Sequence, residues 1–157
     1  MALRIIRING DPVLRQTAKD VKKIKPPLLA LFDDMVETMI DAEGVGLAAP
    51  QIGISKRIIV VDGQDKQGIR ILINPVITER EGKETAVEGC LSIPRFAGEV
   101  ERDEIITVRS VDKNGQENEL RAQGLLARIL QHEIDHLDGI LFIDRAERII
   151  EKSEDQE

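Results

Sequence analysis

Tryptophan and tyrosine are absent from these 157 residues, and only three phenylalanines take their place. So few aromatic faces leave little on which bases could stack, which argues against a single-stranded nucleic-acid binder. Cysteine occurs once, so no internal disulfide can form, and a reducing, cytoplasmic setting is expected rather than a secreted scaffold. Long apolar runs are missing as well. Met1 to Gly10 alternates arginine with isoleucine and lacks the apolar core that export or membrane insertion requires. Nor is there an overall excess of positive charge: the net charge of -7 argues against a specific nucleic-acid site. The charge is unevenly spread, because Arg4, Arg7, Arg15, Lys19, Lys22, Lys23 and Lys25 meet only Asp11 and Asp20 within residues 1–30. A solvated basic surface accounts for this, with weak docking of something anionic as the alternative. Repeats, low-complexity tracts and domain-separating linkers are lacking, and 41% hydrophobic with 32% charged residues suits one compact domain over residues 1–157.

Histidine is scarce too, and both copies fall in His132-Glu133-Ile134-Asp135-His136. Four residues apart on a helix, they project from one face and can share a metal ion, with Glu133 close enough to move a proton at a water on that ion. A hydrolytic site of this kind needs a third protein ligand and one open position. The longer motif H-E-x-x-H-x-x-G-x-x-H would supply a third histidine, but Phe142 stands there, so a metzincin is rejected. A glutamate from a later helix would have to come from Glu147, Glu151, Glu154 or Glu157, in a tail too short to return easily. Cys90, in Glu88-Gly89-Cys90-Leu91-Ser92, is the better candidate, since a thiolate and two imidazoles suit zinc or ferrous iron. As an isolated cysteine it could equally be a small buried apolar residue.

The hydrophobic pattern places these segments. Asp11-Pro12-Val13-Leu14-Arg15 reads as a turn opening a short helical piece. Pro26-Pro27 starts a helix whose Leu28, Leu31, Phe32, Met35 and Met39 keep helical spacing to about Ile40. Residues 44–53, rich in glycine and proline, read as a loop. Strands are expected at 57–62, 69–74, 75–79, 105–111 and 116–122, the last two joined by Asp112-Lys113-Asn114-Gly115, whose Asn-Gly pair is a hairpin signal. A second helix runs from about Gly124 to Leu137, with Leu125, Leu126, Ile129 and Leu130 on a broad apolar surface, and it carries both histidines. Strands on either side of two separated helices, without regular alternation, predict an α+β fold.

Taken together, the segments Gly44-Val45-Gly46-Leu47-Ala48-Ala49-Pro50-Gln51, Glu88-Gly89-Cys90-Leu91-Ser92 and Gln131-His132-Glu133-Ile134-Asp135-His136 resemble the three boxes of peptide deformylases, complete and in order. The similarity extends from Asp11-Pro12 to Leu141-Phe142. The resemblance implies mixed or antiparallel strands around a metal-bearing helix, with Cys90, His132, His136 and a water as ligands. It implies ferrous iron as the working ion, with zinc, nickel or cobalt able to substitute. The substrate it implies is the N-formylmethionyl end of nascent proteins, with a weak ribosome contact in some relatives. From the residue types, Glu133 is placed to take a proton from the attacking water and pass it to the departing amine. By resemblance, the Gln51 amide and the Leu91 N–H steady the developing oxyanion. Gly46, lacking a side chain, would let a substrate backbone come close, and an extended peptide would pair near Gly46 and Gly89. Val45, Leu125 and Ile129 would line the methionine slot or else simply pack in the core, and the stem of Arg128 would cover the slot with its charge in water. Glu88 and Asp135 are expected to orient the histidines, with Arg102 as a partner for either. Arg95 departs from the glycine common after Pro94 in relatives, and the short acidic tail after residue 144 does not match the basic terminal helix of ribosome-contacting relatives. A small metallopeptidase, or a protein using its metal only for folding, are the competing classes.

Overall fold

The computed structural model describes residues 2–152. Pro12–Arg15 forms one 3-10 turn, begun by Asp11, whose carboxylate accepts from Val13 N–H at 3.1 Å. Helix α1 (Pro26–Asp41) starts at the proline pair as its sequence predicts. There follow β1 (Gly46–Ala48), β2 (Ile58–Asp62), β3 (Ile69–Glu81), β4 (Glu84–Cys90), β5 (Ile93–Arg102), β6 (Ile105–Val111), β7 (Glu117–Gln123), α2 (Gly124–Leu137), the short α3 (Phe142–Arg145) and β8 (Arg148–Glu151). Five strands form one sheet in the order β1-β2-β3-β6-β7, and three form another in the order β4-β5-β8, with neighbouring strands antiparallel throughout. The expected α+β class holds.

Strand β2 explains why two helices flank the larger sheet. Its residues alternate between faces, and both faces are apolar. Ile58 and Val60 pack with Leu31, Phe32, Met35 and Met39 of α1, whereas Ile59 and Val61 pack with Ala127, Ile129, Leu130 and Ile134 of α2. Helix α2 is therefore pinned to the sheet by its apolar stripe, and the histidine-bearing flank turns toward β4 and β5. A smaller cluster of Ile93, Val100, Leu141 and Phe142 closes the space under the three-stranded sheet and includes Cys90 at its margin.

The structure differs from the sequence reading in four places. Residues 44–53 are not simply loop: Gly46–Ala48 pairs with Val61–Ile59, and Ala49–Ile52 makes a 3-10 turn, because strand pairing outweighs local propensity. The expected strands 69–74 and 75–79 are one strand with a bulge at Asn74-Pro75. Pro75 cannot donate to the ladder, and Asn74 takes φ +52 while its amide bonds both N–H and C=O of Val21 at 2.9 Å. The cysteine segment, unassigned from sequence, forms the end of the β4–β5 hairpin. The tail folds back as β8 against β5, and Glu154 and Glu157 lie outside the described residues. The β6–β7 hairpin matches its Asn-Gly signal, with Gly115 at φ +83 and Asp112 N–H donating to Gln116 O at 2.9 Å.

Candidate active site

Cys90 comes from a break in the ladder. Gly89 pairs with Ala97 but Cys90 pairs with Ile93, and this register shift turns the thiol out of the β4 alternation toward α2. His132 and His136 stand one turn apart on α2, their rings 5.1 Å between centroids. The Sγ of Cys90 lies 3.4 Å from Nε2 of His136, and one donor atom from each of Cys90, His132 and His136 falls within 4.8 Å of the others. Thiolate and imidazole ligands on one tetrahedral metal should sit about 3.5 Å apart, given ordinary metal–sulfur and metal–nitrogen bond lengths. The residues fit such an ion.

Around them is a charged network that sequence reasoning only partly foresaw. Glu88 Oε1 lies 2.9 Å from His132 Nδ1, so the carboxylate fixes that ring. Arg102 grips both oxygens of Glu88 at 2.9 Å and also reaches Asp135 at 2.6 Å. Among the described residues the Asp135 carboxylate bonds to neither histidine. It holds Arg102 and Arg145 instead, and its expected role as an orienting carboxylate for the ligands is corrected to that of an anchor for Arg102. Arg128 does not send its charge to water. Its guanidinium turns inward to Glu88 Oε2 at 2.5 Å and to the carbonyls of Val100 and Glu84, because Glu88 has one oxygen edge left unfilled. Burial pushes the Glu88 carboxyl up, but the Arg102 and His132 hydrogen bonds outweigh it and hold it at about 2. Burial pushes His132 down, yet Cys90, Glu133 and Glu88 raise it to about 10. His136 is held well below its usual value by burial and by the charge of His132.

Glu133 is buried, and its Oε1 has no hydrogen-bond partner among the described residues. Burial lifts its carboxyl to about 7, where a carboxylate can both accept and return a proton near neutrality. Gly46 faces it directly: a Cβ built there would lie 2.5 Å from Glu133 Oε2 and 2.9 Å from Ile129 Cγ2. The missing side chain of Gly46 thus makes room for Glu133, a reason the sequence did not reveal.

Gln51 is buried between β1 and the hairpin turn. Its Oε1 accepts from Ala48 N–H at 2.9 Å, which aims Nε2 at Ser92 Oγ (3.1 Å) and Cys90 Sγ (3.6 Å). Ser92, fully buried, was not singled out from the sequence, although it ends the cysteine box. A cleft of about 1020 Å³ opens over the cluster, and Val45, Gly46, Gln51, Gly89, Leu91, Leu125 and Ile129 all line it. Leu125 is 49% exposed, so it serves the cleft and not the core, whereas Ile129 is shared by both. His136 is fully buried behind that surface. Lys152 also lines the cleft, contributed by a tail with no sequence signal for it.

A helix-borne histidine pair with an adjacent buried glutamate, completed by a thiol from a hairpin, marks an α+β metalloenzyme of the hydrolase class. The sequence pattern of polypeptide deformylases matches residues 3–152. A peptide deformylase from Halothermothrix orenii is 58% identical over 147 residues, 94% of this chain and 96% of that protein. The crystal structure of the peptide deformylase from Thermotoga maritima superposes with a TM-score of 0.90 at 45% identity, covering 93% of this chain and 99% of that one. The peptide deformylase from Synechococcus elongatus, in complex with actinonin, does so with 0.87 at 49% identity, covering 91% and 78%. The chain belongs to the polypeptide deformylase family, hydrolases that remove N-formyl groups from nascent peptides. Among the described residues no helix is long and apolar enough to cross a membrane.

Proposed function

We propose that this chain, as one catalytic domain, hydrolyses the formyl group from N-formylmethionyl peptides with Cys90, His132 and His136 holding a ferrous ion, for which zinc, nickel or cobalt can substitute. The convergence of those three donors with the buried Glu133, whose Oε1 has no hydrogen-bond partner among the described residues, carries the reading. A bound metal of this kind supplies Lewis acidity and lowers the pKa of a coordinated water toward neutrality. Glu133 takes the proton of the attacking water and delivers it to the amine nitrogen as the C–N bond breaks and formate leaves. Gln51, its amide held by Ala48 and Ser92, offers an N–H to the oxygen on which negative charge develops, and the Leu91 backbone N–H offers a second. The methionine side chain is assigned to the apolar wall of Val45, Leu125 and Ile129, and the peptide pairs along Gly46 and the free edge of β4 at Gly89.

A lone cysteine committed to the metal suits a reducing cytoplasm. Any ribosome contact falls to the exposed Lys19, Lys22, Lys23 and Lys25 rather than to the acidic tail. The test is formate release from formyl-Met-Ala-Ser by metal-loaded protein. Glu133→Ala should retain metal while the rate falls roughly 10²- to 10⁴-fold. A variant with intact turnover rules out this base, and cleavage of an unformylated peptide at an internal bond would favour a metallopeptidase.

A further inference from the structure

Lys152 is a charge the deformylase reading does not use. It follows β8, and its N–H donates to Arg95 O at 2.8 Å, continuing the pairing of β8 with β5. From there its side chain crosses the face of the sheet to β4. Its Nζ ends 3.4 Å from the point where a Cβ on Gly89 would sit, on the cleft surface. Among the described residues it makes no ion pair, although Glu88 and Arg128, which line the same cleft, neutralise one another.

Strand β4 is the edge of its sheet, and its outer side is where an extended peptide would add. Residues directly opposite one another on paired strands share a face, with Cβ atoms about 4.5–5.5 Å apart. A peptide side chain opposite Gly89 would therefore emerge beside the Lys152 ammonium, in space that Gly89 leaves open.

We infer that Lys152 is a specificity-determining residue that selects formylated peptides bearing a carboxylate side chain at one of the two positions after the methionine. The inference rests on the deformylase reading. Its ion pair is partly solvated, so the preference is modest, about two- to fivefold over the isosteric amide.

The experiment compares kcat/KM for metal-loaded, full-length protein on formyl-Met-Glu-Ala-amide and formyl-Met-Ala-Glu-amide against their glutamine counterparts. The terminal amides remove the chain-end carboxylate, so only the side chain can respond. Expected are a Glu/Gln ratio of about two to five at one of the two positions, carried by KM, and its decline at about 0.5 M salt. The ratio should persist in Lys152→Arg and fall below one in Lys152→Glu. Ratios are read within each variant, so a general loss of turnover does not enter. The same Glu/Gln ratio in the parent and in Lys152→Glu overturns the assignment while formate release still supports the deformylase reading. Absence of formate from every peptide overturns both.

Discussion

Gly46→Ala is the sharpest perturbation of the proposed base. The backbone of Gly46 is not in the left-handed region, so alanine meets no conformational penalty there, and the whole effect must come from the added methyl. That methyl would lie 2.5 Å from Glu133 Oε2, 2.9 Å from its Cγ and 2.9 Å from Ile129 Cγ2. Restoring ordinary contact requires the carboxylate to retreat by about 1 Å. A displacement of that size at a proton-transferring group costs on the order of 100-fold in rate. Overpacking against Ile129 adds roughly 1–3 kcal/mol of destabilisation, readable as a lower melting temperature. The assay is kcat for formate release from formyl-Met-Ala-Ser, normalised to bound metal. Adding Ile129→Leu removes the β-branched methyl that meets the new Cβ. It should recover stability and leave the rate low, because Glu133 stays displaced. Parental kcat in metal-replete Gly46→Ala would refute the argument, and so would full recovery of rate on adding Ile129→Leu.

Three further outcomes follow from the buried charges, two in the network around the histidines and one at Asp103, which pairs with Arg80 and Lys83. Glu88→Gln removes the carboxylate that fixes His132 and should weaken metal binding about 10- to 100-fold, measured by competition with a chelator. Arg102→Met strands Glu88 and Asp135 and should cost about 3 kcal/mol in urea unfolding, near the lower end for a broken buried pair because Arg128 and Arg145 remain. Burial pushes the Asp103 carboxyl up, but hydrogen bonds from Lys83 and Arg80 prevail and hold it below its usual value. Its stabilisation is therefore complete above the unfolded-state pKa near 4 and is lost as pH falls through the lower folded value. Asp103→Asn should flatten that acid limb and lower the melting temperature at neutral pH by a few degrees, from about 1 kcal/mol. An acid limb unchanged in the variant would assign the dependence to other carboxylates.

What could be read from residue order alone was whatever a short stretch of chain dictates through its own stereochemistry. The 3.6-residue period puts His132 and His136 on one side of α2 with Glu133 between them, the proline pair starts α1, and Asn114-Gly115 turns the β6–β7 hairpin. The apolar spacing of α1 likewise announced which flank would be buried, and that of α2 did so for Ile129 and Leu130 but not for Leu125, which stands exposed on the cleft. The three boxes together pointed to the metal and to the thiol. Relations across long separations needed packing to settle them. Cys90 reaches His136 across 46 residues only because a register shift at the end of β4 turns it there. Arg128 could be read as a surface charge until the fold showed the open edge of Glu88 waiting 40 residues upstream. From the sequence Gly46 could be read only as room for a substrate backbone, and the fold adds that Glu133 and Ile129 crowd the place its Cβ would take, while Lys152 carried no local signal at all. Such contacts depend on the sum of many weak apolar burials that dock α2 and two sheets, and no window of neighbouring residues contains that sum.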